Sequence, residues 1–227
     1  MLTAVRAEVS VRLAEVFQLI EHIRHIESAP PAPDPPEAKI LRGLFHVHLY
    51  AALEYAVNQG VQRFLEAVAA LGAPPRHLQA RFFSVALDPG FSSIRNVGED
   101  KRWSARVNLL DLQSSPDPQN IHSDVFGLYL QNVKAEKLEV LFRCLDINQP
   151  VVPEPSYRLY VDELAERRNG VAHGRVSALG VGSARRSPEL LIRYNAISAT
   201  CIHVLNCFEQ QHEERGVILA GHRPAYP

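Results

Sequence analysis

The sequence predicts an all-α protein, an up-and-down helical bundle with an extra helical or irregular insertion in its middle. Three observations predict it. Apolar residues recur at spacings of three and four in several long segments. No stretch sustains the alternation of a strand. The turn-forming clusters "SAPPAPDPPE", "SSPDPQN" and "NQPVVPEP" fall between the periodic segments and not inside them. With 227 residues, 46% of them apolar and 22% charged, the chain is long enough to bury a core of its own, and 1–227 reads as a single domain.

The first helix is expected within 1–28, where Val5, Val9, Leu13, Val16, Ile20 and Ile23 form one apolar stripe. Five prolines from Pro30 to Pro36 make 29–36 a stiff, non-helical linker, read as a plain loop and not as a docking site for a polyproline-binding partner.

Residues 37–71 predict a long helix of unusual character. No charge occurs from Gly43 to Leu53, so most of its circumference should be buried. Yet Arg42, His46, Tyr50, Glu54 and Asn58 recur four apart, on one stripe. A polar row on a buried helix is costly unless something faces it.

The segment 72–149 reads as an elaboration. Leu78, Phe82 and Val85 suggest a short helix broken by "DPG" at 88–90, and Trp103, Val107 and Leu110 suggest another. Val125, Leu128 and Tyr129, then Leu138, Leu141 and Leu145, imply one or two more. In 150–227 a penultimate helix is expected with Ser156 as N-cap, Leu159, Leu164 and Val171 on its apolar face and Gly174 as C-terminal stop. Leu190, Tyr194, Ile197, Cys201, Val204 and Phe208 mark a last helix over 187–214.

The net charge of −1 excludes bulk attraction to nucleic acid or to an anionic membrane, so any such contact must come from a local patch. Cys144, Cys201 and Cys207 lack CxxC spacing and read as reduced core residues, not a disulfide frame or zinc site. Arg6, Glu8, Arg12 and Glu15 interrupt what a signal peptide needs as an apolar run, and no stretch has the length of a membrane span. A cytoplasmic protein with no membrane contact is expected.

The stretch "AERRNGVAHGR", residues 165–175, asks for a chemical reading. Chance alone supplies about one arginine and histidine at this spacing in a chain of this composition. Here, however, Asn169 lies four residues before His173, on the same helix face, and the side chain of Arg168 is long enough to join them. Between Arg167 and Pro188 stand five arginines and no acidic residue, which predicts a positive patch suited to an anion. The structural alternative is a helix end at which His173 meets the terminal carbonyls and Arg167 and Arg168 are solvated.

"LAERRNGVAHG" resembles the signature of the HEPN superfamily, and "ILRGLFHVHLYAALEYAVNQGVQRFLEAV" and "LEVLFRCLDI" are similar to the MAE-type HEPN-like nuclease family of bacteria. Gly170 and the proline-rich linker depart from that pattern. The resemblance implies a HEPN-like bundle and a metal-independent endoribonuclease that cleaves RNA by attack of its own 2′-hydroxyl, acting as a toxin or in phage defence. It implies Arg168, Asn169 and His173 as the catalytic set and a homodimer with a composite site. The candidate partners are RNA and an antitoxin, either a nucleotidyltransferase or a small inhibitor. No cofactor and no metal are called for.

The residue types suit that chemistry. Imidazole exchanges protons near neutral pH, and guanidinium offers a fixed, charged fork to phosphate oxygens. Glu54 offers either a pairing that orients Arg168 or a structural ion pair with another arginine. Tyr50 and His46 either extend that network or are ordinary core residues, and Arg167, Arg175, Arg185 and Arg186 are expected to meet RNA. A HEPN module that binds RNA, a nucleotide or a protein partner without turnover is the alternative from another class.

Overall fold

The structure, a computed structural model, describes residues 1–226. Among them are nine α-helices and no strand; an isolated antiparallel bridge joins Leu78 and Ile218. Four helices are long: α1 (Thr3–Ile26), α2 (Pro36–Ala69), α7 (Tyr157–Ala172) and α9 (Ser187–Glu213). Between α2 and α7 lie α3 (Phe83–Ala86), α4 (Asp88–Asn96), α5 (Glu99–Gln113) and α6 (Ala135–Cys144). The short α8 (Ala178–Gly182) separates α7 from α9.

α2 is the central element, packing against α1, α7, α8 and α9. Its run without charges places Phe45, Leu49, Tyr50 and Leu53 in the core, and Ala56 and Val57 continue the buried face beyond Glu54. Each of the six stripe residues of α1 is buried against it. Pro36 opens α2 at its first position, where the missing N–H is not needed.

The polar row on α2 has its partners. Arg42, 1% exposed, pairs with Asp34 at 2.8 Å and Glu27 at 3.3 Å and donates to the Arg185 carbonyl at 2.9 Å. Arg186 reaches the same Asp34 at 2.8 Å, and both the N–H and hydroxyl of Ser187 donate to Glu27. The proline-rich linker is thereby clamped to the start of α9. Burial pushes the Asp34 carboxyl up, but Arg42, the Ser28 N–H and Arg186 outweigh it and hold the group below its ordinary range. His46 is only half satisfied: its Nδ1 lies 3.0 Å from the Arg42 carbonyl, while its buried Nε2 has no hydrogen-bond partner.

α8 sits on α2 through two glycines. A methyl group on Gly43 would lie 2.7 Å from Ala178 Cα, and one on Gly182 would lie 2.7 Å from the Gly43 nitrogen. Only glycines permit so close a backbone approach.

Several expectations need correction. The short helix expected before "DPG" is α3, which does stop there, at Ala86, but "DPG" is no loop: after Leu87, Asp88 and Pro89 form the first turn of α4, where proline is at home. Trp103, Val107 and Leu110 do lie on a helix, α5, but face solvent at 72%, 56% and 63% exposure. Val125, Leu128 and Tyr129 belong to turns and a single 3-10 turn, with Leu128 exposed. Ser156 makes no side-chain cap on α7, because its own backbone is already helical, and Leu159 is 73% exposed.

Candidate functional site

α7 carries the motif on its last two turns and ends at it. The His173 N–H donates to the Asn169 carbonyl at 3.1 Å, and Gly174 turns the chain away with a φ of +65°, the left-handed stop expected of it. The N–H groups of Arg175 and Val176 both return to the Gly170 carbonyl, at 2.9 and 3.1 Å.

Around Arg168 the hydrogen bonds form a closed circuit. Its Nη1 donates to Asn169 Oδ1 at 2.9 Å, and its Nη2 meets Glu54 Oε2 at 3.4 Å. Glu54 Oε1 accepts from the Tyr50 hydroxyl at 3.5 Å, and that hydroxyl accepts the Val133 N–H at 2.6 Å. Asn132, next in the chain, accepts from Asn169 Nδ2 at 3.0 Å and closes the ring. The Tyr50 ring supports the guanidinium from beneath, 4.5 Å from its centroid. An ion pair this exposed contributes about 1 kcal/mol or less to stability. Its effect is on direction, holding the fork at one angle.

Burial pushes the Tyr50 phenol up to about 12, so it stays a neutral donor to Glu54. Burial likewise raises the Glu54 carboxyl, an effect that Arg168 and the Tyr50 hydrogen bond only partly offset. A cleft of about 480 Å³ opens over the circuit, lined by Glu54, Gln131, Asn132, Arg168, Asn169 and His173. The His173 side chain is exposed on this cleft, and no hydrogen bond or ion pair engages its imidazole. Arg168, Asn169, Glu54 and Tyr50 are therefore brought into contact, and His173 shares their cleft without touching them.

The continuous positive patch expected over 167–186 does not form. Arg167 pairs with Glu163 at 2.7 Å, Arg185 with Glu163 and Glu189, and Arg186 with Asp34. Arg193 also reaches Glu163, at 3.0 Å. Burial raises the Glu163 carboxyl, but Arg167, Arg193 and Arg185 outweigh it and the net direction is down. Of the four arginines, Arg175 alone is exposed with no ion pair. The counter-ions come from outside the acid-free window, although Glu163 and Glu189 stand four residues from Arg167 and Arg185, a spacing readable in the sequence.

Gln131 and Asn132 were not anticipated. Their only signal is a pair of adjacent amides just before α6. His203, by contrast, is engaged structurally, with Nε2 at 2.6 Å from the Pro150 carbonyl. Among the described residues, no three His, Cys, Asp or Glu side chains gather in a metal-binding arrangement, and no helix is long and apolar enough to cross a membrane.

The family described as RiboL-PSP-HEPN matches residues 11–206, which include every residue of this cleft. By its description the match is to the RiboL-PSP branch of HEPN proteins, where two stretches of sequence resembled the MAE-type branch. No curated protein and no solved structure matches the chain.

Proposed function

The chain belongs to the RiboL-PSP-HEPN family of the HEPN superfamily, and from that membership and the geometry of its cleft we propose that it is a metal-independent endoribonuclease. One observation carries the reading: a guanidinium held on three sides opens onto the same cleft as an uncommitted imidazole. An arginine that served only the fold would have no reason to be aimed at solvent beside such a group.

In this reading the ribose 2′-hydroxyl attacks the adjacent phosphorus and the 5′-oxygen leaves, giving a 2′,3′-cyclic phosphate and a 5′-hydroxyl. His173 takes the hydroxyl proton, and the same imidazole in a second copy of the chain protonates the leaving oxygen across a composite cleft. Arg168 faces the non-bridging oxygens, where charge grows in the phosphorane. Asn169 orients Arg168, and Glu54 and Tyr50 fix its angle. Arg175 meets a flanking phosphate. The biological role we assign is that of a toxin or phage-defence effector in the cytoplasm, restrained by an antitoxin that covers the cleft.

The test is cleavage of single-stranded RNA in excess chelator, with the product ends sequenced. Retained activity that falls by about 10²–10³ in Arg168→Ala and at least as far in His173→Ala is the expected outcome. Equal activity in the His173→Ala protein refutes the proposal. Salt-sensitive binding that Arg168→Ala weakens, with no cleaved product, would assign the cleft to binding without turnover.

A further inference from the structure

A second, smaller cleft adjoins the motif cleft. It measures about 280 Å³ and is lined by Arg12 of α1 and by Ala51, Glu54, Tyr55, Asn58 and Gln59 of α2. Glu54 borders both clefts, so they form one path over the surface of α2. The five α2 residues recur at intervals of three and four, which places them on one face of the helix. Glu54 and Asn58 are one turn apart, about 6 Å along the axis, a span on the scale of a single nucleotide step.

The lining has the chemistry of a nucleotide site. The Arg12 guanidinium lies over the Tyr55 ring, 3.8 Å from its centroid. Glu8 engages Arg12 through Nη1 alone, at 2.7 Å, which leaves Nε and Nη2 for a phosphate oxygen. Asn58 gives its Nδ2 to the Glu54 carbonyl and keeps its Oδ1 free, and Ala51 is small enough to leave the floor open. Pairing with Arg168 offsets the Glu54 charge at the junction, so it does not bar a phosphodiester from crossing. Single-stranded nucleic acid is commonly held by cations that track the backbone and by planar groups on which a base stacks; here Arg12 covers the Tyr55 ring, so the plane offered to a base is the guanidinium that Tyr55 supports.

We infer that the Arg12–Tyr55 cleft is a subsite for the nucleotide next to the scissile one, so that the substrate is a single-stranded RNA of more than two residues. The inference rests on the endoribonuclease reading only for which phosphate is cut; the path of the strand follows from the clefts themselves.

The test uses the full chain carrying His173→Ala, so that RNA stays intact, and measures binding of fluorescent RNAs of two and six nucleotides by anisotropy. The hexamer is expected to bind more tightly than the dinucleotide. Arg12→Ala and Tyr55→Ala should each weaken the hexamer roughly tenfold and leave the dinucleotide within about twofold, while Tyr55→Phe keeps the platform and the affinity. Equal loss on both RNAs, or unchanged hexamer binding, overturns the subsite; Arg12, half-exposed on α1, decides the matter if Tyr55→Ala fails to fold. A parallel cleavage assay on the chain with His173 intact separates the two ideas. Cleavage of the hexamer indifferent to Arg12 and Tyr55 removes the subsite and keeps the nuclease, whereas length-dependent binding without cleavage does the reverse.

Discussion

Gly43→Ala tests whether the motif is held from behind. The new methyl would lie 2.7 Å from Ala178 Cα and 2.6 Å from the Ala178 carbonyl carbon, where ordinary van der Waals contact starts at 3.4 Å. The Ala178 carbonyl oxygen is nearer still, the opposing atoms are all backbone, so no rotamer change relieves the clash, and α8 must retreat by more than an ångström. Overpacking of this kind costs about 1–3 kcal/mol. In a chain of this size each kcal/mol lowers the melting temperature by roughly 2–4 °C. The retreat also moves the 173–177 segment that joins α7 to α8 and carries His173. Displacing a reacting group by about 1 Å can cost on the order of 10²-fold in rate. The measurement is a thermal melt by circular dichroism beside kcat/KM on RNA, with Gly170→Ala as control. A methyl there meets only Val176 Cγ2 at 3.8 Å, and exchanging glycine for alanine in a helix stabilises by about 0.5–1 kcal/mol. A Gly43→Ala protein that melts and cleaves like the parent would refute the argument.

Two further predictions concern charge on α2. Because burial raises the Glu54 carboxyl, the native chain holds that proton more tightly than the unfolded chain, and stability falls as pH rises through the raised pKa. Glu54→Gln should therefore melt at or above the parent at pH 7 while cleaving RNA roughly tenfold slower or worse, since Arg168 loses its anchor; a lower melting temperature with full activity contradicts this. His46 runs the other way: burial, helped by Arg167, pushes it from 6.5 to about 4, so the unfolded chain takes up a proton that the native chain resists. Its contribution is complete above pH 6.5 and is lost as pH falls towards 4, by about 3 kcal/mol. Denaturant melts of the parent and His46→Asn across that window should converge by this amount, and parallel pH profiles would disprove it.

The core was legible where burial alone decides sequence. The stripe on α1 and the uncharged run of α2 are direct images of what each helix faces, and both lie where periodicity puts them. α5 shows the limit of that signal. Trp103, Val107 and Leu110 have helical spacing, and the helix is there, but periodicity reports an apolar face and not what covers it. The polar row was legible as a row, since Arg42, His46, Tyr50 and Glu54 are neighbours by helix geometry, but of its partners only Arg168, offered as a partner of Glu54, was. Glu27, Asp34 and Val133 reach it from other elements, and long-range pairing leaves no local mark. The arginine patch failed for a different reason: Glu163 and Glu189 stand one helical turn from Arg167 and Arg185, and a window free of acids is not a volume free of them.

The circuit also sorts the two adjacent arginines. Arg167 and Arg168 are identical in type and about 100° apart on α7. Arg167 turns back along α7 to Glu163, which also serves Arg185 and, from α9, Arg193, and is spent on the fold. Arg168 turns towards α2, onto a tyrosine ring and one carboxylate, and keeps a face open to the cleft. Asn169 holds Arg168 in place through its oxygen and spends one of its two N–H donors on Asn132. Its second N–H is left for a phosphate oxygen. Asn132 has both of its donors left over, since only its Oδ1 is engaged. On the proposed reading, direct contact with the substrate falls to Arg168, Asn169, His173 and the 131–132 amides, a set that spans two segments far apart in sequence and is joined only by the folded ring.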